Sequence, residues 1–430
     1  MRYLYRVQNE MSILRRSYTG CILSFLAALA VLMWRRPDAI VHAQFWAEDG
    51  KIFFEGALYR GLSSLWQPYG GYFHLYPRIV AWLCEASPLP YRYFPLAYNL
   101  AWLAGMALCI VCIWRLRTLS AGVRFALSLL LTLIPAGNEV MINLTNAQWI
   151  LAAWILIYSM NEPSDSVLTN VAGYLLLAVS GLTTPMSIVF PALFLPAVFR
   201  YGSQQKYHHF INLAVIVITG GLQLTGLLGG SGRLHSTISE HTVNWLDIRF
   251  LKLVKDQYVY IFTGNTRLLS EAAYTIPLFL PVAALLIVTG IAALRKKSGI
   301  AFSFFLGGLL TLGAVMFESR HFLSDLHPFH AGTRYFYIPA YAFVCCLLVL
   351  ADRPAPRFRM LQLALVLWMG VVTFTAFRPF RFPDKQWEKH ARIMEEGGPV
   401  VVPVNPDPWT ITFERRRDPG EGSTEGRVPK

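Results

Sequence analysis

The run Phe45-Trp46-Ala47-Glu48-Asp49-Gly50-Lys51-Ile52-Phe53-Phe54-Glu55 sets two adjacent carboxylates among aromatic and aliphatic neighbours. A carboxylate so placed can take a proton from a hydroxyl or hold a cation. If the run is helical, Glu48, Lys51 and Glu55 share one stripe, and Asp49, Phe53 and Gly56 share the next. Lys51 is then expected to neutralise Glu48 and leave Asp49 free. Two acids at a helix start also suit the helix dipole without any chemistry, worth under about 1 kcal/mol.

A second group is Tyr69-Gly70-Gly71-Tyr72-Phe73-His74-Leu75-Tyr76-Pro77-Arg78. Its glycines let backbone approach a ligand, and its tyrosines offer stacking faces and hydroxyls. Arg78 could contact a phosphate, or the group could be an aromatic belt with a snorkelling arginine. A third group, Gly332-Thr333-Arg334-Tyr335-Phe336-Tyr337, puts an arginine at the mouth of an apolar helix, where charge is costly unless used. Its fork could hold a phosphate or carboxylate, or pair with Glu318 or Asp325. Glu139, Asn143 and Asn146 stand at helical spacing ahead of Trp149 and could line one cavity with Tyr72, His74 and His330. Asn143-Leu144-Thr145 also matches a glycosylation acceptor. His321, His327 and His330 lack a zinc spacing, and no P-loop, serine elbow or HExxH motif occurs.

A membrane-embedded scaffold has to position these residues. The chain of 430 residues is 55% hydrophobic and 15% charged, against roughly a quarter charged in soluble proteins. Runs such as CILSFLAALAVLMW and IPLFLPVAALLIVTGIAAL approach the roughly 20 apolar residues of a spanning helix, and in lipid they must be helical. The net charge of +13 then belongs to loops and headgroup contacts, not to a nucleic-acid partner. Five of the six cysteines lie in apolar runs and read as small apolar residues.

Threading by Lys/Arg bias predicts an all-α polytopic protein with about eleven spans. They fall near residues 18–34, 95–114, 125–135, 149–160, on both sides of 181–187, at 211–228, ahead of Arg295, before Glu318, ahead of Asp352 and before 377. Residues 1–377 form one transmembrane domain, with outer loops at 37–93 and 229–273. Residues 378–430 follow as a small outward segment whose end has a disordered composition. Arg35 and Arg36 violate the bias. Pro77–Ala86 and part of 229–273 are expected to lie along the interface. DKQWEKHARIMEEGG reads the same way, and GPVVVPVNP reads as a strand. On this path all the polar groups above face outward.

This order of parts resembles the GT-C superfamily of membrane glycosyltransferases that use polyprenyl-phosphate sugars. The likeness lies in a first span, a long outer loop opening on Ala47-Glu48-Asp49-Gly50, interfacial helices, many spans and an outward tail. Within the superfamily it is most similar to bacterial enzymes that modify O-antigen and other surface polysaccharides. The resemblance implies an inverting transfer from a polyprenyl-phosphate sugar to a glycan or lipid-linked acceptor, at the outer side of a bacterial inner membrane. It makes Asp49 the base, with Glu48 second. The family often writes Asp-Asp or Asp-x-Asp where this chain has Glu-Asp, so the order stays open. It makes Arg334 the holder of the lipid phosphate, with Arg78 and Tyr335 beside it. No cofactor is fixed, although the carboxylate pair could hold Mg2+ or Mn2+. A transporter or flippase is the main rival; it would carry charge at mid-membrane and usually internal repeats. A glycan ligase or polymerase would use a large outer loop such as 229–273.

Overall fold

The computed structural model describes all residues except 1, 136–138, 201–202, 230–247, 265–274, 297, 319–331, 353–354, 377–380 and 415–430. The chain begins with α1 (Arg2–Arg35). A π-helical turn, Asp49–Phe54, continues into α2 (Glu55–Arg60), and α3 (Leu75–Ala86) follows. Then come α4 (Phe94–Arg115), α5 (Ala121–Leu133), α6 (Ala147–Tyr158), α7 (Val167–Gly181), α8 (Pro191–Arg200) and α9 (Ser203–Leu228). The remainder is α10 (Ile248–Thr263), α11 (Thr275–Arg295), α12 (Gly299–Glu318), α13 (Tyr337–Leu350), α14 (Pro356–Ala376), α15 (Trp387–Glu395), β1 (Val400–Pro403) and β2 (Thr410–Phe413).

Among the described residues, seven helices are long and apolar enough to cross a membrane, so this is an integral membrane protein. They are the Ser17–Arg35 part of α1 together with α4, α9, α11, α12, α13 and α14. Helices occupy all eleven expected segments, but α5, α6, α7 and α8 have only 13, 12, 15 and 10 residues. At about 1.5 Å per residue they fall short of the ~30 Å hydrocarbon core. Of the eleven expected segments, seven therefore hold a helix of spanning length among the described residues. The physical reason shows in α6, which is buried from Ala147 to Ile157 and is surrounded by protein. Such a helix need not reach from one interface to the other. Tyrosine hydroxyls tie the inner helices together: Tyr337 donates to Leu131 O at 2.8 Å and Tyr341 to Leu127 O at 3.3 Å. Hydrogen bonds of this kind hold helices together where water is absent.

Side-chain contacts define the two ends of the bundle. At one end Arg35 donates to the carbonyls of Thr132 and Ile134, and Arg36 to Met141 O. Arg35 thereby satisfies orphan carbonyls at the C-terminus of α5. Both arginines are buried. Their breach of the charge bias therefore has a structural cause, since they are internal latches and not flanking charges. At the other end Lys296 donates to Val349 O and Leu350 O at the close of α13, and Arg115 to Glu162 O.

Of the segments expected at the membrane surface, α10 is packed into protein instead, and α15 rests one face on protein with its charged face exposed. In α10, Lys255, Asp256, Gln257 and Tyr258 are all buried, and Lys255 Nζ lies 2.7 Å from Asp256 Oδ1. That ion pair makes burial tolerable for a segment whose apolar spacing suggested a surface helix. In α15, Trp387, Ala391 and Met394 are buried, with Trp387 against Phe45 at 4.6 Å between centroids. The strand-like run becomes β1, paired antiparallel with β2. This hairpin docks on the first loop: Trp46 bridges Asn405, Ala47 N donates to Asn405 O at 2.5 Å, and Thr412 N donates to Glu55 Oε1 at 2.7 Å.

Candidate active site

The acidic run is helical, but it opens with the wide π turn Asp49–Phe54. π turns are uncommon and concentrate at functional sites. The turn alters the expected stripe. Lys51 Nζ lies 2.9 Å from Glu55 Oε1, a part-buried i,i+4 pair, and not on Glu48. Glu48 is half-buried and its Oε2 has no hydrogen-bond partner among the described residues. The reading in which Lys51 neutralises Glu48 and frees Asp49 is thus reversed. The π turn carries Lys51 round to Glu55, which is itself held by Thr412.

Asp49 is the engaged carboxylate, only 1% exposed. Its Oδ1 accepts from the Thr145 backbone N–H at 2.6 Å and from the Thr145 hydroxyl, and its Oδ2 accepts from Leu144 N at 3.1 Å. Burial pushes its pKa up to about 7; the Thr145 and Leu144 hydrogen bonds pull the other way, and the Glu48 charge adds to the rise. The loop it grips is itself strained. Ile142 has φ 50°, a left-handed conformation that a β-branched residue adopts only under constraint, at roughly 1–3 kcal/mol. Asn143 and Asn146 both donate to Glu139 O at 2.8 Å, and Asn146 N donates to Asn143 Oδ1 at 2.9 Å. Asn143 is therefore buried and committed, which corrects the glycosylation-acceptor reading.

Glu139 connects this loop to α13. Its Oε1 accepts from Gly332 N at 3.4 Å, and its Oε2 lies 3.7 Å from Arg334 Nη1. Arg334 pairs with Glu139 and not with Glu318, and its guanidinium lies 5.3 Å from the Tyr335 ring centroid. The Glu48 charge also acts on Arg334. Tyr335 meets Trp149 edge-on at 5.6 Å. Tyr72 reaches the same place, next to Gln148, Arg334 and Tyr335, with its hydroxyl pKa raised chiefly by burial.

Tyr72 is set by a tight turn. Tyr69 N donates to Tyr72 O at 2.9 Å, Tyr72 N donates to Tyr69 O at 3.3 Å, and Gly70 and Gly71 between them have φ of 62° and 91°. Two positive φ values in a two-residue turn demand glycine. Gly71→Ala is expected to cost about 1–2 kcal/mol in thermal or denaturant unfolding, whereas Gly122→Ala, on an open helix face, should cost nothing measurable. His74 packs against Tyr72 at 4.4 Å between ring centroids, the two planes tilted by 35°, and its Nε2–H donates to Tyr69 O at 3.2 Å. Burial, then the Arg78 charge, lowers its pKa to about 3, so it is neutral at physiological pH with Nδ1 as its lone-pair face. Arg78 is 3% exposed and lies 5.5 Å from the Phe53 ring centroid, with no acidic partner among the described residues. Burial and Arg60 lower its pKa to about 10.

The structure therefore brings Glu48, Asp49, Tyr72, His74, Glu139, Asn143, Arg334 and Tyr335 to one end of the bundle, with Arg78 behind His74. His330, along with His321, Asp325 and His327, lies outside the described residues. Thr145, Gln148 and Trp149 were missed as site residues; the polar run TNAQ between apolar helices was the available signal. Besides Glu48 Oε2, the atoms His74 Nδ1, Gln148 Oε1, Trp149 Nε1 and Thr333 Oγ1 are buried without a hydrogen-bond partner among the described residues. Each such group costs about 1–3 kcal/mol until a polar ligand or water meets it. At the pair Glu48–Asp49, Asp49 already accepts three hydrogen bonds from the 144–145 loop, whereas Glu48 Oε2 accepts none among the described residues. No group of three or more His, Cys, Asp and Glu that could hold a metal occurs among the described residues.

No protein-family model matches the chain, and no curated protein matches it. Among solved structures, the oligosaccharyltransferase of Archaeoglobus fulgidus, crystallised with zinc and sulfate, aligns with 88% of this chain at 11% identity and a TM-score of 0.47. The alignment covers 55% of that protein, so this chain spans about half its length.

Proposed function

We propose that this protein is a membrane glycosyltransferase. It moves a sugar, with inversion, from a polyprenyl-phosphate donor to a surface glycan or lipid-linked acceptor on the outward face of a bacterial inner membrane. One observation carries the reading: a carboxylate with an unpartnered oxygen and an arginine with spare donors stand together, ringed by unsatisfied polar atoms, at one end of an apolar bundle. A transporter would need such groups along the middle of the bundle.

In this reading the acceptor hydroxyl oxygen attacks the anomeric carbon as the bond from that carbon to the phosphate oxygen breaks. Glu48 takes the hydroxyl proton, and the charge left on the phosphate is stabilised by Arg334, with Tyr335 and Tyr72 beside it. Geometry puts Glu48 ahead of Asp49 for the base, the reverse of the order the resemblance suggested. Glu48 has an oxygen without a partner among the described residues, while Asp49 uses three of its roughly four acceptor sites on the 144–145 loop. Glu139 aims the guanidinium, and Arg78, buried without a counter-charge, suits a second contact to the anionic donor.

The reading is tested by comparing the surface glycans of cells with and without the protein; identical glycans would sink it. Arg334→Ala should weaken a polyprenyl-phosphate-sugar donor by about 10- to 100-fold, the worth of a charge-assisted hydrogen bond, with acceptor affinity unchanged. Arg334→Lys should restore part of that loss, because it keeps the charge and loses the fork. Equal donor affinity in the alanine variant counts against the assignment.

A further inference from the structure

A cavity of about 870 Å³ opens at the end of the bundle opposite Glu48, where the α4–α5 and α13–α14 junctions meet. Helix α5 runs from this cavity to the carbonyls gripped by Arg35, so the two ends are separated by about 20 Å of helix. The cavity has two kinds of wall. Phe125 on α5 and Leu363 and Val366 on α14 make an apolar side, and the exposed Arg117 and Arg359 form a basic rim. Asp352 is the acid in the lining, and its Oδ2 is occupied, accepting from Ser120 N at 2.9 Å. Arg124, nearby, is turned away: it donates to Trp114 O at 3.0 Å and lies over the Trp114 ring. Arg117 and Arg359 have no ion-pair partner among the described residues.

We propose that this cavity binds an anionic phospholipid of the leaflet at that end, with its phosphate between Arg117 and Arg359 and its acyl chains along Phe125, Leu363 and Val366. The positive start of α5, a 13-residue helix capped by the Ser120 hydroxyl, adds to the attraction. A basic rim over an apolar wall matches a molecule with a charged head and apolar tails. A free phosphate would leave the apolar wall wet. Basic pockets between spanning helices select acidic headgroups in this way. The assignment is independent of the reaction proposed at the other end.

The test uses the full-length protein, stripped of lipid in neutral detergent and titrated with dioleoylphosphatidylglycerol or dioleoylphosphatidylcholine, with bound lipid read by native mass spectrometry. Phosphatidylglycerol should bind more tightly than phosphatidylcholine. Arg117→Ala combined with Arg359→Ala should weaken it by about 30-fold, roughly fivefold for each basic residue, and leave phosphatidylcholine unchanged. Both residues are exposed, and an unchanged unfolding temperature shows that the double variant folds. The paired Lys substitutions, which keep charge at the same places, should retain the preference for phosphatidylglycerol. Equal affinity for the two lipids in the unmodified protein overturns the proposal, as does full phosphatidylglycerol binding by the double alanine variant. Competition by glycerol phosphate as effective as that by the whole lipid also overturns it, because the site would then be one for a free anion.

Discussion

Glu48→Gln is expected to slow sugar transfer by about 10²- to 10⁴-fold, the usual worth of a positioned general base, with the unfolding temperature and donor affinity unchanged. The glutamine keeps the size of the side chain and removes its capacity to take a proton. Asp49→Asn should behave differently. The amide keeps one acceptor but turns an N–H towards groups that are themselves donors, Thr145 N and Oγ1 or Leu144 N. It should therefore lower stability as well as activity, by about 1–3 kcal/mol for a buried donor left without an acceptor. The two variants also separate by pH. Native Asp49 keeps its proton up to about 7, while the unfolded chain releases it near 4. Between those values the folded protein binds more protons than the unfolded one, so its stability falls as pH rises from about 4 to about 7. Asp49→Asn should flatten that slope, and Glu48→Gln, which removes only a minor contribution to the rise, should keep most of it. If Glu48→Gln transfers sugar at the unmodified rate while Asp49→Asn is folded and inert, Asp49 is the base and the order proposed here is wrong.

The second large effect is expected from deleting residues 382–430. The deleted part holds Asn405, which bridges Trp46 and accepts from Ala47 N, and Thr412, which fixes Glu55. It also holds Ile411, whose side chain fills the space that a Cβ on Gly50 would need. All three act within about two turns of Glu48. Without them the acidic helix loses its outer support, and a displacement near 1 Å is enough to cost roughly 100-fold in rate. Asp38 and Gln44 lose partners too, since they accept from the backbone N–H groups of Phe382 and Lys385. Deleting only 415–430 removes none of these contacts and should leave activity near normal. A finer variant, Ile411→Ala, should give an intermediate loss with membrane insertion intact. Full activity in the 382–430 deletion would show that the C-terminal segment does not hold the site in place.

Hydropathy and charge placed every long helix of the bundle, because a spanning helix must be about twenty residues and apolar, and the chain states this locally. The short inner helices were harder to read. Nothing in the run from Ala147 to Tyr158 says that protein will surround it on all sides, yet that is what relieves it of reaching both interfaces. The acidic pair, the Tyr72 turn and Arg334 stood out by residue type alone. Which carboxylate would be free did not, because the answer depends on contacts far away in the chain. Asp49 is claimed by Thr145, ninety-six residues on, and Lys51 is diverted by a π turn that no local spacing announces. Arg35 and Arg36 looked misplaced by charge bias for the same reason, since their partners are carbonyls about a hundred residues away.

The bond from Thr412 to Glu55 joins residues 357 apart in the chain. At translation rates of about 5–20 residues per second, the acidic helix waits roughly 20 to 70 seconds after leaving the ribosome before the strand that braces it exists. The helices between them must enter the bilayer during that interval, and the hairpin must then follow them to the side where Glu48 already stands. Assembly of the candidate catalytic end thus comes late in synthesis. A nascent chain stalled anywhere in the bundle would carry both carboxylates and the arginine in an unfinished setting.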